Sequence, residues 1–551
     1  MRFRLRWAAL SVLFSAVVLD GHAQGVQPTT LAIGSGPRQI GLVMRPNEEC
    51  RGPATIAPAA GGRLAILDKV NRKIVVIGGA QPEDVPLPRD LVEPSDLIVG
   101  TSGYAVVGAV GDLVLVDAKG NLLQRAKVDH NPEQGAIRLV VLDSMFGIED
   151  LRGKRTPIGA KASQIGELVV YGVATAATYT RMQSSPSSVV LGNSEVAGPL
   201  ASITIKSRAN MRIVEVRPVW VEQGAGALIA VQERGGSPDE SNYVRLVAVD
   251  AKGSPTAEAF LGPESFACDV RRPFARLTDG RVVSLAFRGK NELALQVLSF
   301  RPLGSSPPKA VSQGAEAVTL IAEDTGDLQK LESLNGTSTA TTISLSPTTP
   351  KRILDRARAS LELRWKLTAT NFSHPDVPNE CDPPKRIWRR PGRLDALLDK
   401  EVKSVPYRWG GYVSTLDGFK AHLSEGRLAG DVCTCRIGNC VFKEATGQDC
   451  SGFVSYAWDT GSYYTTVSLP KEHVSVPLKW EELALGDIVN KAGSHVRLVE
   501  MIESESTDRI ITVIESAANE SCGGVCRRPY RESELRRGGY KPLRRVALAA
   551  N

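Results

Sequence analysis

Short apolar runs separated by glycine, asparagine, aspartate and proline fill residues 28–325, and this pattern constrains the fold more than any other feature. Runs such as 64–67 and 74–77 have the length of β-strands and are bounded by turn-forming residues. The pattern predicts an all-β domain, which we place at residues 24–330.

One phrase recurs within this region. LVLVDAKGN at 113–121 returns as LVAVDAKGS at 246–254, and the offset of 133 residues is close to three periods of about 44. Asp68 lies 49 residues before Asp117, which fits one further period. Blade-sized repeats of this kind favour a β-propeller, in which each sheet buries its faces only against its neighbours. The alternative is a pair of β-sandwiches in which Asp-Ala-Lys-Gly is a common hairpin turn.

No set of catalytic residue types is visible in the predicted all-β domain. Its one histidine, His130, is interpreted as a surface or loop residue rather than a ligand. We therefore interpret the domain as a binding or positioning module. Its expected ligand is a cell-envelope polymer or protein.

The remaining segments differ in composition. Positive residues followed by an apolar run of 13 residues and a small-residue site predict a signal peptide and an exported protein, periplasmic or secreted. A stretch rich in Ser, Thr and Pro is typical of a linker. The predicted segments are 1–23 (signal peptide), 331–351 (linker), 352–394 (lead-in that packs on the next domain) and 395–551 (catalytic domain). Residues 394–402 are helix-like, and we expect Val405-Pro406 to end that helix.

Composition excludes several classes of protein. With 42% hydrophobic and 23% charged residues, the chain is typical of a globular protein. Its net charge is +7, and loss of three arginines and one aspartate with the signal peptide leaves about +5. A net positive charge of this size is too small to indicate nucleic-acid binding. No other apolar run approaches membrane length, so we expect no transmembrane span in the mature chain.

The nine cysteines are an odd number for an exported chain, which suggests one unpaired thiol. We expect Cys522 and Cys526 to close a small loop. The cluster of Cys433, Cys435 and Cys440 could pair locally or with Cys381. The alternative for the cluster is a zinc site, but the spacings are not those of paired C-x-x-C ligands. We favour disulfides and expect no metal and no cofactor.

Cys450 is the candidate nucleophile. Phe453, Val454 and Trp458 follow it at helical spacing, which predicts that Cys450 lies at a helix N-terminus. The partial positive charge there favours thiolate, so we expect a lowered thiol pKa. Backbone N–H groups at the helix start could stabilise an oxyanion. A lone cysteine before a helix is more often an inert buried residue.

His495 and Glu515 complete the candidate catalytic set. Residues 495–501 and 509–515 are predicted to form an antiparallel hairpin. If Ile502 pairs with Asp508, Glu515 lies directly opposite His495; in a register shifted by two it is the diagonal neighbour. Either register brings the carboxylate within reach of the imidazole, as in a Cys–His–acid triad. Individually, His495 could be a satisfied strand histidine and Glu515 a solvated carboxylate.

Four motifs resemble those of the NlpC-type peptidases, papain-like enzymes that cleave peptides of bacterial peptidoglycan. They are YRWGG at 407–411, DCSGFV at 449–454, LGDIV at 485–489 and SHV at 494–496. The resemblance covers roughly residues 395–520 and implies an α+β papain-like fold, in which a helix carries the cysteine and an antiparallel sheet the histidine. It implies that Cys450 is the nucleophile and His495 the base.

The resemblance also implies that Tyr407 lines the site and helps to hold the oxyanion. We assign Ser451 and Asp449, together with Tyr407, to the binding of the substrate and the oxyanion. The chain departs from the family in two respects. The insert between Gly411 and Cys450 is long and is expected to roof the cleft. The third catalytic position is often His, Asn or Gln in the family, so Glu515 depends on the hairpin register and Asn519 is the reserve candidate.

These features predict an exported cysteine peptidase or amidase that hydrolyses an amide in bacterial cell-wall stem peptide. The bond between γ-D-glutamyl and diaminopimelyl residues is implied by the resemblance alone. One alternative is a thiol amidase, acyltransferase or secreted toxin that acts on another amide. The other is a propeller-based binding protein whose peptidase domain is inactive.

Overall fold

The fold is described from a computed structural model. It describes residues 30–43, 50–131, 135, 137–142, 144–151, 154–169, 180–185, 187–192, 198–222, 225–235, 243–261, 268, 272–277, 279–288, 292–306, 345–382, 386–433, 441–503 and 508–548. The predicted signal peptide and most of the predicted linker lie outside these residues.

Among the described residues of the N-terminal half, six antiparallel sheets follow one another, and consecutive strands pair within each. Sheet 6 is completed by the first strand, β1 (Thr30–Ala32). Sheets 1 and 2 comprise β2 (Thr55–Ala59), β3 (Arg63–Asp68), β4 (Lys73–Ile77), β5 (Glu83–Pro86), then β6 (Pro94–Val99), β7 (Gly103–Gly108), β8 (Asp112–Asp117) and β9 (Leu122–Lys127). Sheets 3 and 4 comprise β10 (Arg138–Leu142), β11 (Met145–Glu149), β12 (Arg155–Lys161), then β13 (Thr180–Ser185), β14 (Ser188–Gly192) and β15 (Ser202–Lys206). Sheets 5 and 6 comprise β16 (Met211–Glu222), β17 (Gly226–Gly235), β18 (Tyr243–Val249), β19 (Pro255–Leu261), then β20 (Phe274–Arg276), β21 (Val282–Arg288), β22 (Glu292–Val297), with β23 (Arg301–Pro302) added to sheet 5.

Asp96, a buried aspartate on β6 of sheet 2, connects its sheet to three others. Its carboxylate accepts hydrogen bonds from Thr55 of sheet 1 (3.0 Å), the Leu139 amide of sheet 3 (2.8 Å) and Arg272 beside sheet 6 (2.6 Å). A disulfide joins Cys50, which precedes sheet 1, to Cys268, which precedes the first strand of sheet 6, and so links the two ends of the ring. Successive sheets with their first strands gathered at a centre, and a last sheet completed by the N-terminal strand, are the organisation of a β-propeller.

The repeated phrase occupies equivalent positions in two sheets. β8 and β18 are each the third strand of a sheet, in sheets 2 and 5, so the two copies lie three sheets apart as the spacing predicted. Asp117 and Asp250 close the following turns identically, each accepting two backbone N–H groups. The further period predicted at Asp68 is wrong, because Asp68 ends the second strand of sheet 1.

The C-terminal part contains one six-stranded antiparallel sheet in the order β30-β35-β31-β32-β33-β34. Its strands are β30 (Ser475–Pro477), β31 (Ile488–Lys491), β32 (His495–Glu503), β33 (Ile510–Ala517), β34 (Gly524–Arg531) and β35 (Lys541–Arg545). Short pairs precede it: β24 (Arg364–Lys366) with β27 (Glu401–Lys403), β25 (Glu380–Asp382) with β26 (Arg386–Trp388), and β28 (Leu428–Ala429) with β29 (Ala445–Thr446). The helices are α1 (Pro350–Glu362), α2 (Ala369–Phe372), α3 (Leu416–Ser424), α4 (Cys450–Ala457) and α5 (Glu532–Arg537).

Helix α4 is entirely buried between α1 and the sheet. Phe453 and Val454 lie in one apolar core with Ile353 of α1 and Leu498 and Ile514 of the sheet. α1 begins at Pro350 behind Thr349, whose side chain accepts the Arg352 N–H as an N-cap. The helix predicted at 394–402 is wrong: this segment holds a 3-10 turn and then β27, because its backbone pairs with β24.

The two halves meet along β34 and its flanks. Polar contacts across this interface include Glu520–Arg72 (2.5 Å), Ser521–Glu93 (2.5 Å), Arg537–Glu215 (2.8 Å), Gln232–Ser533 O (3.2 Å) and Arg531–Leu151 O. They involve sheets 1, 3 and 5 and the connections beside them. On the C-terminal side they come from the residues just before β34, from its last residue and from α5 just after it, so the flanks of β34 face the propeller.

Two further disulfides are present in the described residues, Cys381–Cys433 and Cys522–Cys526, as the cysteine pattern allowed. Together with Cys50–Cys268 they are compatible with an oxidising compartment. Cys435 and Cys440 lie outside the described residues. No helix within the described ranges is both long and apolar enough to cross a bilayer.

Candidate functional site

The start of α4 positions the thiol, and Asp449 is its N-cap. One oxygen of the Asp449 carboxylate accepts the Gly452 N–H at 2.6 Å. The other accepts the Tyr463 hydroxyl at 2.7 Å and the Gly410 N–H at 3.1 Å. The aspartate therefore ties the helix start to the YRWGG segment. Predicted to be on the substrate side, Asp449 is buried and engaged in these structural contacts.

The glycines of the two motifs are required by a close approach of backbone to backbone. A Cβ added at Gly452 would lie 1.9 Å from the Gly411 carbonyl oxygen. A Cβ added at Gly411 would lie 2.6 Å from the Arg408 carbonyl oxygen. These distances leave no room for a side chain, so YRWGG and DCSGFV pack as one unit beneath the thiol.

His495 begins β32, and Glu515 lies near the end of β33. The strands pair Leu498 with Ile514 and Val499 with Val513. Continued towards His495, this register places Glu515 diagonally, the second of the two predicted registers. His495 Nε2 is 2.7 Å from Glu515 Oε2. A β-bulge between Val499 and Met501 changes the register further along the hairpin.

Glu515 is held by two residues that sequence reasoning missed. Arg497 Nε lies 2.9 Å from Glu515 Oε2, and the Tyr530 hydroxyl donates to Oε1 at 2.7 Å. Burial alone would raise the pKa of Glu515, but the Arg497 charge and the His495 hydrogen bond lower that pKa well below its usual range. Glu515 is thus an ionised carboxylate. The available signal for Arg497 was its spacing, since a residue two positions after His495 shares its strand face.

The thiol of Cys450 lies against the start of β32. It accepts backbone N–H groups from Val496, the residue after His495, and from Ser451. The expectation of a lowered thiol pKa is wrong. Burial and the nearby Asp449 charge raise the pKa of Cys450 well above its usual range, and the two N–H groups only partly offset them. Burial at this position therefore favours the neutral thiol over the thiolate.

The other predicted site residues lie around Cys450 and His495. Tyr407 packs against Trp409 and Tyr463, and its backbone is bridged to Gln448, two residues before Cys450. The Ser451 hydroxyl donates to Asp449 at 3.1 Å. Asn519, the reserve candidate, instead closes its own turn by accepting the Cys522 N–H. The roles of Tyr407 and Ser451 towards a substrate remain predictions.

The site is closed to solvent. Cys450 and Glu515 are 0% exposed, Arg497 is 1% exposed and His495 is 2% exposed. Val432 and Val441, which flank residues 434–440 of the long insert, pack on the Tyr407 and Trp409 cluster. The predicted roof itself falls largely on residues outside the described ranges. Among the described residues, the thiol is fully covered.

The site residues suit proton transfer and nucleophilic attack, because they combine a thiol, an imidazole and an ionised carboxylate. Within the ranges that the structure describes, no group of three or more His, Cys, Asp or Glu side chains is placed to hold a metal ion. His130, predicted as a surface or loop residue rather than a ligand, lies in the connection after β9, where it is buried and its ring contacts the Gly135 carbonyl oxygen at 2.9 Å.

Comparisons with known proteins give fold-level likenesses only. No family model and no curated protein matches the chain. A streptogramin B lyase structure is 11% identical, covers 47% of this chain and 98% of its own, with a TM-score of 0.26. Virginiamycin B lyase from Staphylococcus aureus (9% identity, 49% and 90% coverage, TM-score 0.22) and the Dos1 propeller (11% identity, 49% and 77% coverage, TM-score 0.23) are similarly distant. Scores this low carry no argument about this chain.

Proposed function

We propose that this chain is an exported cysteine peptidase or amidase that hydrolyses an amide in bacterial cell-wall stem peptide. One observation carries the proposal: the buried thiol of Cys450, outside any disulfide, lies against the residue that follows His495, and His495 is hydrogen-bonded to Glu515. A neutral thiol beside an imidazole that is itself oriented by a carboxylate is the arrangement of a nucleophile with its general base.

The ionised Glu515 determines which nitrogen of His495 acts. The ionised Glu515 can only accept a hydrogen bond, so the His495 Nε2 that faces it carries the proton. His495 Nδ1 then keeps the lone pair that can receive the thiol proton. The sulfur electron pair then attacks the amide carbon, and the carbonyl π electrons move to oxygen. The N-terminus of α4 provides the positive end of the helix dipole for that oxyanion.

The second half of the reaction uses the same groups in reverse. The imidazolium returns its proton to the leaving amine, which breaks the C–N bond and leaves a thioester on Cys450. Water, deprotonated by His495, attacks the thioester, and the thiolate leaves with a proton from the imidazolium. Glu515 remains ionised throughout and stabilises each imidazolium.

The proposed substrate class rests on the resemblance to NlpC-type peptidases. Two of the resembling motifs pack together at the thiol through Gly411 and Gly452, which supports a shared site architecture. Export is supported by the disulfides. The propeller is proposed to bind an envelope polymer or protein and to place the catalytic half against the wall.

Incubation with purified peptidoglycan followed by mass analysis of released peptides tests the proposal. Wild type should release stem-peptide fragments, and Cys450→Ala should release at least about a thousandfold less, since the nucleophile is lost. Thermal unfolding of both proteins controls for folding. Equal release by the two proteins would exclude the thiol mechanism. No release by wild type, with Cys450 still reactive towards alkylation, would exclude peptidoglycan and leave another amide.

A further inference from the structure

Arg497 is a charged residue at the centre of the candidate site, and none of the resembling motifs includes it. Its Nε is 2.9 Å from Glu515 Oε2, and His495 Nε2 is 2.7 Å from the same oxygen. The guanidinium and the imidazole therefore share one carboxylate oxygen. A positive charge at that place weakens the hold that Glu515 can exert on a protonated His495.

The position of Arg497 is closely constrained. Its Nη2 donates to the Tyr530 hydroxyl at 3.3 Å, and that hydroxyl donates to the other oxygen of Glu515. Its guanidinium lies over the rings of Tyr530 and Tyr540 at 4.3 and 4.4 Å. Such contacts from two aromatic faces hold a cation in a site that excludes water.

The other titratable or charged groups around the pair come from every neighbouring element. They are Cys450 and Asp449 at the start of α4, Lys491 opposite His495 on β31, Arg528 and Tyr530 on β34, Tyr540 before β35, and Tyr463. Arg497 contacts the Glu515 oxygen that also bonds His495, and Arg528 adds a further positive charge near the same carboxylate. Arg497 is therefore the cation placed to offset the Glu515 charge at the imidazole.

The charges next to His495 then decide where the proton of the thiol–imidazole pair rests. Moving that proton from Cys450 to His495 leaves the net charge of the site unchanged, so the balance depends on how the neighbouring charges interact with an imidazolium, and burial strengthens those interactions. With Arg497 beside Glu515, the attraction of the carboxylate for an imidazolium is largely offset, and the proton stays on Cys450. Without Arg497, the carboxylate would stabilise an imidazolium, and the proton on that ring would come from Cys450.

We propose, building on the proposed function, that Arg497 is a positioning residue that neutralises Glu515 and keeps Cys450 and His495 as an uncharged thiol and imidazole until a substrate enters. The thiol proton then moves to His495 Nδ1 only as the sulfur attacks. The resting protein is thereby protected from alkylation and oxidation, which require thiolate.

The pH dependence of Cys450 alkylation by iodoacetamide tests this proposal without any substrate. Mass analysis of the Cys450 peptide gives the rate, which is normalised to the alkaline plateau of each protein, so that differences in opening of the cover cancel. Wild type should reach half its plateau at a pH above the ordinary thiol value of about 8.5. Arg497→Met should lower that midpoint by about one unit, which corresponds to about a tenfold higher normalised rate at pH 7.

Two variants separate charge from packing. Arg497→Lys keeps the positive charge, so its midpoint should stay with wild type. Tyr530→Phe removes a hydrogen bond to Glu515 but no charge, and its midpoint should shift by only a few tenths of a unit. A folded Arg497→Met with the wild-type midpoint would overturn the proposal.

The wild-type profile is decisive even if Arg497→Met does not fold. A wild-type thiol alkylated at pH 5 as fast as at pH 8 would show a thiolate–imidazolium pair and refute an uncharged resting state. Because alkylation needs no peptide, a chain that failed to cleave peptidoglycan would still confirm or refute the role of Arg497.

Discussion

Both halves of the molecule bury an arginine against carboxylates, but the two clusters differ in the other groups that contact those carboxylates. In the propeller, Arg245 of β18 donates to Glu233 of β17 at 2.8 and 2.9 Å and to Glu258 of β19 at 2.9 Å. In the C-terminal half, Arg497 pairs with Glu515. Both arginines are almost fully buried.

The difference lies in what else touches the carboxylates. Glu258 also accepts from Arg208 and from the Gly304 amide, neither of which exchanges protons near neutral pH. Glu515 instead contacts an imidazole next to a thiol. A buried ion pair alone is therefore no mark of a functional site; it becomes one when a group that can gain or lose a proton shares its charge.

Removal of the propeller arginine should have the largest effect on stability. Arg245→Met leaves Glu233 and Glu258 buried with less charge compensation, so the free energy of unfolding should fall by about 3–5 kcal/mol. The midpoint of Cys450 alkylation should not move. Denaturant unfolding and the alkylation profile measure the two effects.

The matched control is Arg125→Ala, which breaks the Arg125–Asp90 pair of the same half at the surface. That loss should be much smaller than the loss in Arg245→Met, because solvent screens the pair. If Arg245→Met shifted the thiol midpoint as Arg497→Met is expected to, the contrast between the clusters would fail.

The backbone approach beneath the thiol should give the next largest effect. Gly452→Ala forces a Cβ onto the Gly411 carbonyl oxygen, so unfolding should become easier by about 1–3 kcal/mol and peptide release should fall as the helix start shifts. Gly392→Ala is the control, since its Cβ would meet only Asp395 at 3.9 Å. Equal stability of the two variants would show that the approach of the two motifs is not tight.

The last prediction is a change with pH rather than a fixed loss of stability, and it concerns Asp508, beside the interface between the halves. Burial, followed by the Glu215 charge of the propeller, raises the pKa of Asp508 from 3.8 to about 7. The folded chain thus holds a proton that the unfolded chain has lost between about pH 4 and 7. Stability from this group is greatest below that window and falls as pH rises through it.

Comparison with Asp508→Asn isolates this contribution. The free energy of unfolding of wild type relative to the variant should decrease from pH 4 to 7, with a slope of at most about 1.4 kcal/mol per unit, the limit for one proton. Urea unfolding at several pH values measures that slope. Parallel wild-type and variant curves would mean that Asp508 ionises normally.

Several features of the candidate site were predictable because they depend on local pattern. Helical spacing after Cys450 placed the thiol at the start of α4, and the strand-like composition on either side of a polar turn placed His495 and Glu515 on paired strands. The repeated phrase predicted two equivalent turns three sheets apart. The helix expected at 394–402 failed because pairing of β27 with β24 overrode local helix propensity.

The sequence by itself determined which chemical groups stand at a helix start and on adjacent strands, because spacing along the chain dictates those positions. Only the tertiary structure decided their charge states. Desolvation of Cys450 and the sharing of one Glu515 oxygen by Arg497 and His495 arise from segments distant in the chain, and burial strengthens each charge interaction. That is why the thiol expected to be acidic is held neutral.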